Sequence, residues 1–168
     1  MKSLIVRLLL GALLAGALSA AQADGLIRVE QTVFGMDCAP CAYGLQKGLT
    51  KLPGATKVEV SLNDGKARVE FGPGSPTTFS QVHDVIVHGG FTPREATVVV
   101  AGHIAMDGDK LVLVANGSER YRLVVPQAKD LAAIKAGAEI TVQGEISAES
   151  GSDPEPSLTV EDVLPNAP

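Results

Sequence analysis

Val33-Phe34-Gly35-Met36-Asp37-Cys38-Ala39-Pro40-Cys41-Ala42 is where an alternating segment gives way to a helical one. Upstream, Leu26 to Phe34 reads as a strand, with Ile27, Val29 and Val33 on one face and Arg28, Glu30 and Thr32 on the other. Downstream, Ala42, Leu45, Leu49 and Leu52 recur at three- and four-residue spacing, which predicts a helix from about Ala39 to Leu52. Pro40 suits a helix start, where a missing N–H costs nothing, and Pro53-Gly54 stops the helix. The cysteines therefore lie at a strand-to-helix junction.

The pattern continues beyond the helix. Thr56, Val58, Val60 and Leu62 alternate with polar residues, Asn63-Asp64-Gly65 supplies a turn, and Ala67, Val69 and Phe71 alternate again. This is a hairpin apolar on one face. Thr78 and Gln81 form a capping box for a second helix with Phe79, Val82 and Ile86 inward, ended by Gly89-Gly90. A last strand begins near Thr92. The order is βαββαβ, two helices on one face of a four-stranded antiparallel sheet.

From Thr97 onward strand signals dominate: Val98–Ile104, Leu111–Ala115, Tyr121–Val125, Ile140–Ile146 and Leu158–Val163. Asp107-Gly108 and Asn116-Gly117 mark turns, and a short helix is predicted over Ala128–Ile134. Five strands with a helix in that place suggest a small all-β barrel of the OB type. The expected class is α+β: a βαββαβ sandwich over residues 24–96, then an OB-like barrel over residues 97–168.

Residues 1–23 have a basic start with Lys2 and Arg7, an apolar run and the small-x-small site Ala21-Gln22-Ala23. That predicts a signal peptide cleaved after Ala23, and a periplasmic or secreted protein without membrane attachment after cleavage. The run is shorter than the roughly 20 residues that span a bilayer. Without it, 12 Lys+Arg stand against 19 Asp+Glu. The acidic balance argues against nucleic acid and anionic membranes as partners. The barrel segment, with 5 Lys+Arg, 11 Asp+Glu and Tyr121 as its one aromatic, lacks a basic groove and stacking platforms.

The chain has two cysteines, three positions apart. A disulfide gains most from closing a long loop, so a purely structural bridge explains this pair poorly. Metal ligation or thiol exchange explains it better. Soft thiolates select Cu(I), Hg(II) and Cd(II), and less strictly Zn(II), and the positive helix end favours the thiolate at Cys41. Two thiolates suit a low-coordinate ion, whereas a closed structural zinc site wants four ligands. Thiol-disulfide oxidoreductase chemistry at Cys38 and Cys41 is the rival. His83, His88 and His103 read as surface or packing residues, and the Asn116-Gly117-Ser118 sequon reads as a hairpin turn. No catalytic constellation stands out, so no enzymatic activity is expected.

Gly35-Met36-Asp37-Cys38-Ala39-Pro40-Cys41 resembles the GMxCxxC loop of heavy-metal-associated domains. The resemblance runs from about Ile27 to Val98 and includes Leu52-Pro53-Gly54, Val58, Val60 and Gly90-Phe91. It implies a ferredoxin-like fold, one soft metal ion per chain, and Cys38 and Cys41 as ligands. It implies that Met36 packs beneath the loop and that Phe91 excludes water near the metal. Such domains occur as copper chaperones, periplasmic mercury scavengers and modules of metal-pumping ATPases, which implies a metal transporter or another metal-binding domain as partner. Cu(I) or Hg(II) is the favoured ion. Asp37 stands where many copper and mercury members carry Thr or Ser, and resembles loops of zinc, cadmium and lead pumps. This leaves three readings of Asp37 open: a third ligand for Zn(II) or Cd(II), a solvated loop residue, or a cap on the helix.

Overall fold

A computed structural model describes residues 24–126 and 134–165. The leader over residues 1–23 and all but the last residue of the helix predicted at Ala128–Ile134 lie outside the described residues. The elements run β1 (Gly25–Phe34), α1 (Ala39–Leu49), β2 (Ala55–Ser61), β3 (Lys66–Phe71), α2 (Phe79–His88), β4 (Thr92–Asp107), β5 (Lys110–Ala115), β6 (Glu119–Val124), β7 (Glu139–Ile146) and β8 (Ser157–Leu164).

The first six elements form a ferredoxin-like βαββαβ unit with antiparallel order β2-β3-β1-β4. Its helices bury Ala42, Leu45 and Leu49 from α1 and Phe79, Val82 and Ile86 from α2. They pack on Val29, Val33, Ala67, Val69 and Phe71 of the sheet. The Thr78–Gln81 capping box is formed in both directions. Helix α1 ends at Leu49, earlier than the sequence pattern suggests. The Thr50 hydroxyl donates back to the Gln46 carbonyl at 2.8 Å, and Pro53 disfavours helical backbone at Leu52.

The strand expected near Thr92 and the strand expected over Val98–Ile104 are one continuous strand, β4, of 16 residues. Its first part pairs with β1, from Phe34↔Thr92 to Gly25↔Ala101. Its middle pairs on the other side with β7, from Ala96↔Ile146 to His103↔Glu139. Its end pairs with β5. The remaining ladders run β5-β6-β8-β7, with β6 and β8 parallel, and close a five-stranded barrel on β4. Closure brings backbones close: a side chain at Gly102 would place its Cβ 2.3 Å from the Val114 carbonyl oxygen. Leu113, Tyr121, Val142 and Leu158 fill the barrel and join the ferredoxin-like core in one cluster.

The faces of β1 also differ from the simple alternation. A register shift near Ile27 leaves that residue half-buried while Leu26 turns inward. Gln31 is 1 % exposed. A second shift lies opposite it in β4, where the Gln31 amide donates to the carbonyls of Arg94 (2.8 Å) and Glu95 (3.2 Å). A buried polar side chain is accepted there because it satisfies backbone acceptors the bulge leaves without a ladder partner.

The barrel meets the first unit at one end of its sheet. Asn116 packs on Gly25 and its amide reaches the Thr77 carbonyl at 3.5 Å. Glu119 accepts a 2.6 Å bond from the Phe79 N–H at the start of α2. Burial pushes the Glu119 carboxyl above its ordinary 4.5, against the lowering influence of that N–H and of the Tyr121 hydroxyl. The folded protein therefore holds this proton to higher pH than the unfolded chain. The stability this provides is present below about pH 4.5 and is lost as pH rises through the folded value. Glu119→Gln keeps an acceptor for Phe79 without the charge. It is expected to match the parent Tm in acid and exceed it at neutral pH. The gain should be roughly 2–4 °C for each kcal/mol of burial cost relieved, read by calorimetry across pH.

Candidate metal centre

The register of β1 against β4 sets the polarity of the molecule. Phe34 and Thr92 mark one pole, Gly25 and Ala101 the other, and β7 of the barrel joins β4 from Ala96 onward. At about 3.3 Å per residue the two ends of β1 stand about 30 Å apart. The cysteine loop follows Phe34, so it stands at the Thr92 end of the sheet.

Gly35 carries a φ of 87° as the chain leaves β1. Met36 then turns inward, 5 % exposed, and joins the core, while Asp37 is exposed. Cys38 is the N-cap of α1, and its sulfur accepts the Cys41 N–H at 3.2 Å. Pro40 sits in the first turn, where no intrahelical donor is lost. Both cysteines are half-buried. A free thiolate here would gain from the N–H groups and the positive end of α1.

Cys38 and Cys41 are joined as a disulfide, with Cα atoms 5.1 Å apart. Metal ligation by this pair requires its two-electron reduction to the dithiol. Among the described residues no three His, Cys, Asp or Glu side chains group as metal ligands.

Phe91 reaches the site through the end of α2. Gly90, at φ 86°, lets its N–H bond the Val87 carbonyl and the Phe91 N–H bond the Ile86 carbonyl. That double closure turns the chain and lays Phe91 back against the helix. Phe91 and Cys41 line the same open groove of about 710 Å³ between α1 and α2. Leu52, Val85 and His88 line it too. His88, expected as a surface or packing residue, is exposed, and its Nδ1 lies 2.7 Å from the Asp84 carbonyl oxygen. Neither its spacing nor its neighbours in sequence signal its place beside Cys41. His83 lies against Gly151 of the barrel loop, and His103 is exposed in β4.

Residues 31–92 match the family model of the heavy-metal-associated domain. A copper-transporting ATPase 2 of Rhizobium meliloti (strain 1021) is 31 % identical over 110 residues, 66 % of this chain and 13 % of that protein. The chain thus matches only a small part of this relative's length. Among solved structures, the yeast copper transporter domain Ccc2a is 27 % identical, covering 40 % of this chain and 90 % of its own, with a TM-score of 0.37. Oxidized MerP from Ralstonia metallidurans CH34 is 25 % identical, covering 40 % of this chain and 93 % of its own, also with a TM-score of 0.37.

Proposed function

We propose that this chain, whose residues 31–92 match the heavy-metal-associated domain, is an exported carrier that captures one soft metal ion through Cys38 and Cys41 and hands it on. The observation that carries this reading is the cysteine pair at the N-terminus of α1, half-exposed in the loop after β1. Metal is the cargo here. A partner's thiolates approach the half-exposed cysteine loop, one displaces Cys38 or Cys41 from the ion, and the second exchange completes the transfer. The partner is a metal transporter or another metal-binding domain, in keeping with the copper-transporting ATPase that resembles part of this chain. The protein binds and transfers without catalysis of its own. The leader over residues 1–23 directs it to the periplasm or the exterior.

Cu(I) or Hg(II) is the proposed ion, because two thiolates without a third grouped ligand suit low-coordinate soft ions. The barrel is read as OB-type. The closed order β4-β5-β6-β8-β7 with one parallel pair supports this. A second reading, thiol-disulfide exchange through the same pair, is favoured by the bonded sulfurs.

Anaerobic titration of the reduced protein with Cu(I), Hg(II), Zn(II) and Cd(II), against chelators of known affinity, separates these readings. One equivalent of Cu(I) or Hg(II), bound far more tightly than Zn(II) and unaffected by Asp37→Ala, is expected. Tight Zn(II) or Cd(II) binding weakened by Asp37→Ala would replace the ion assignment with the carboxylate-assisted one. Failure to bind any of the four leaves the redox reading.

A further inference from the structure

Three of the five Lys and Arg residues from Thr97 onward meet at one end of the barrel, although that segment carries eleven carboxylates. Asp107, Lys110, Val112, Arg122 and Glu155 line an open pocket of about 470 Å³ there. Strand register brings them together. Asp107 faces Lys110 across the β4–β5 turn, and Val112, Arg122 and Ser157 form a row across β5, β6 and β8. Val112, 1 % exposed, forms the floor.

The charges are not evenly cancelled. Arg120 takes both acids, at 2.9 Å to Asp107 and 2.8 Å to Glu155. Arg122 is held by neutral acceptors, the Glu155 carbonyl at 2.9 Å and the Ser157 hydroxyl at 3.2 Å. Its guanidinium is fixed in place without a carboxylate of its own. Lys110 makes no ion pair among the described residues. Among the described residues there, three cations against two carboxylates leave one positive charge.

We propose that this pocket binds a small hydroxycarboxylate between Lys110 and Arg122. A guanidinium already anchored on one side offers its remaining N–H groups to a planar carboxylate, and Lys110 supplies the second charge. Asp107 and Glu155 accept from the ligand's hydroxyl. The pocket volume fits a small molecule, and the lining has no aromatic surface on which a base or sugar ring could stack. The site sits at the far end of β4 from the cysteine loop, so it is independent of the metal reading.

The test is calorimetric titration of the processed protein with malate, at ionic strength held constant with sodium chloride. Saturable one-site binding is expected, weakened about tenfold or more by Arg122→Gln and likewise by Lys110→Gln. Lys110 is exposed and unpaired, so its variant reports on binding even if loss of Arg122 disturbs the strand. The proposal is overturned if malate shows no saturable binding up to the order of 10 mM, or if binding survives Lys110→Gln undiminished. Cys38 and Cys41 are untouched in this experiment, so failure leaves the metal reading standing.

Discussion

The Cys38→Ser/Cys41→Ser protein is expected to lose its one equivalent of tightly bound metal while keeping the fold. Hydroxyls are poor ligands for soft ions, and no third grouped ligand among the described residues can compensate. The structural cost is small because both side chains are half-exposed and the core beneath them is built from Met36, Ala42 and Leu45. Against the reduced parent, stability should change by roughly 0.5 kcal/mol or less, as for surface substitutions. Serine at Cys38 keeps a capping oxygen for α1. Metal content after chelator competition and the urea midpoint are the two readouts. Retained stoichiometric binding in a folded double variant would remove the site from this loop.

A chain ended at Ala96, the boundary that the sequence suggests between the two halves, is expected not to fold. It would lose Val98 and Val100, both 0 % exposed, together with the pairings Val29↔Val98 and Leu26↔Val100. Each buried valine contributes roughly 1.5–3 kcal/mol by burial, and a domain's whole margin is about 5–15 kcal/mol. Removing β7 as well exposes the other side of β4. The circular dichroism spectrum of this fragment should be that of an unfolded chain. The processed protein should unfold in one transition followed equally by probes in either half. Two separate transitions, or a folded fragment, would show that the shared strand does not couple the halves.

Much of this architecture is legible residue by residue. The alternation of Ala67, Val69 and Phe71, the Thr78–Gln81 box and the Gly89-Gly90 terminator each declare their geometry within a few positions, because the physics that fixes them is local. The unity of β4 is not local. Arg94-Glu95-Ala96-Thr97 breaks the apolar pattern and reads as a boundary, yet β1 and β7 pair with Ala96 and Thr97 from both sides, and Arg94 and Glu95 continue the strand through the bulge. Gln31 shares the face of Val29 and Val33, but the bulge in the neighbouring strand whose carbonyls satisfy its amide is not visible in the sequence. At the site, the CxxC spacing announces chemistry but is equally compatible with a dithiol and with the disulfide present here. The approach of Phe91 and His88 to Cys41 depends on how α2 leans on α1, which no short motif encodes.

The continuous strand also bears on how this chain can change over evolutionary time. Inserting or deleting one residue between Ala96 and Ile104 would invert every later side chain of β4 relative to those before it. Residues that now fill the barrel would face water while the ferredoxin-like half stayed correct. Length variation is therefore barred from the join between the two halves, the place where fused modules ordinarily tolerate it most. It is instead confined to turns such as residues 147–156, where an added residue shifts no register. The two halves are inherited as a single reading frame of faces, and neither can be exchanged for another module without recutting the strand they hold in common.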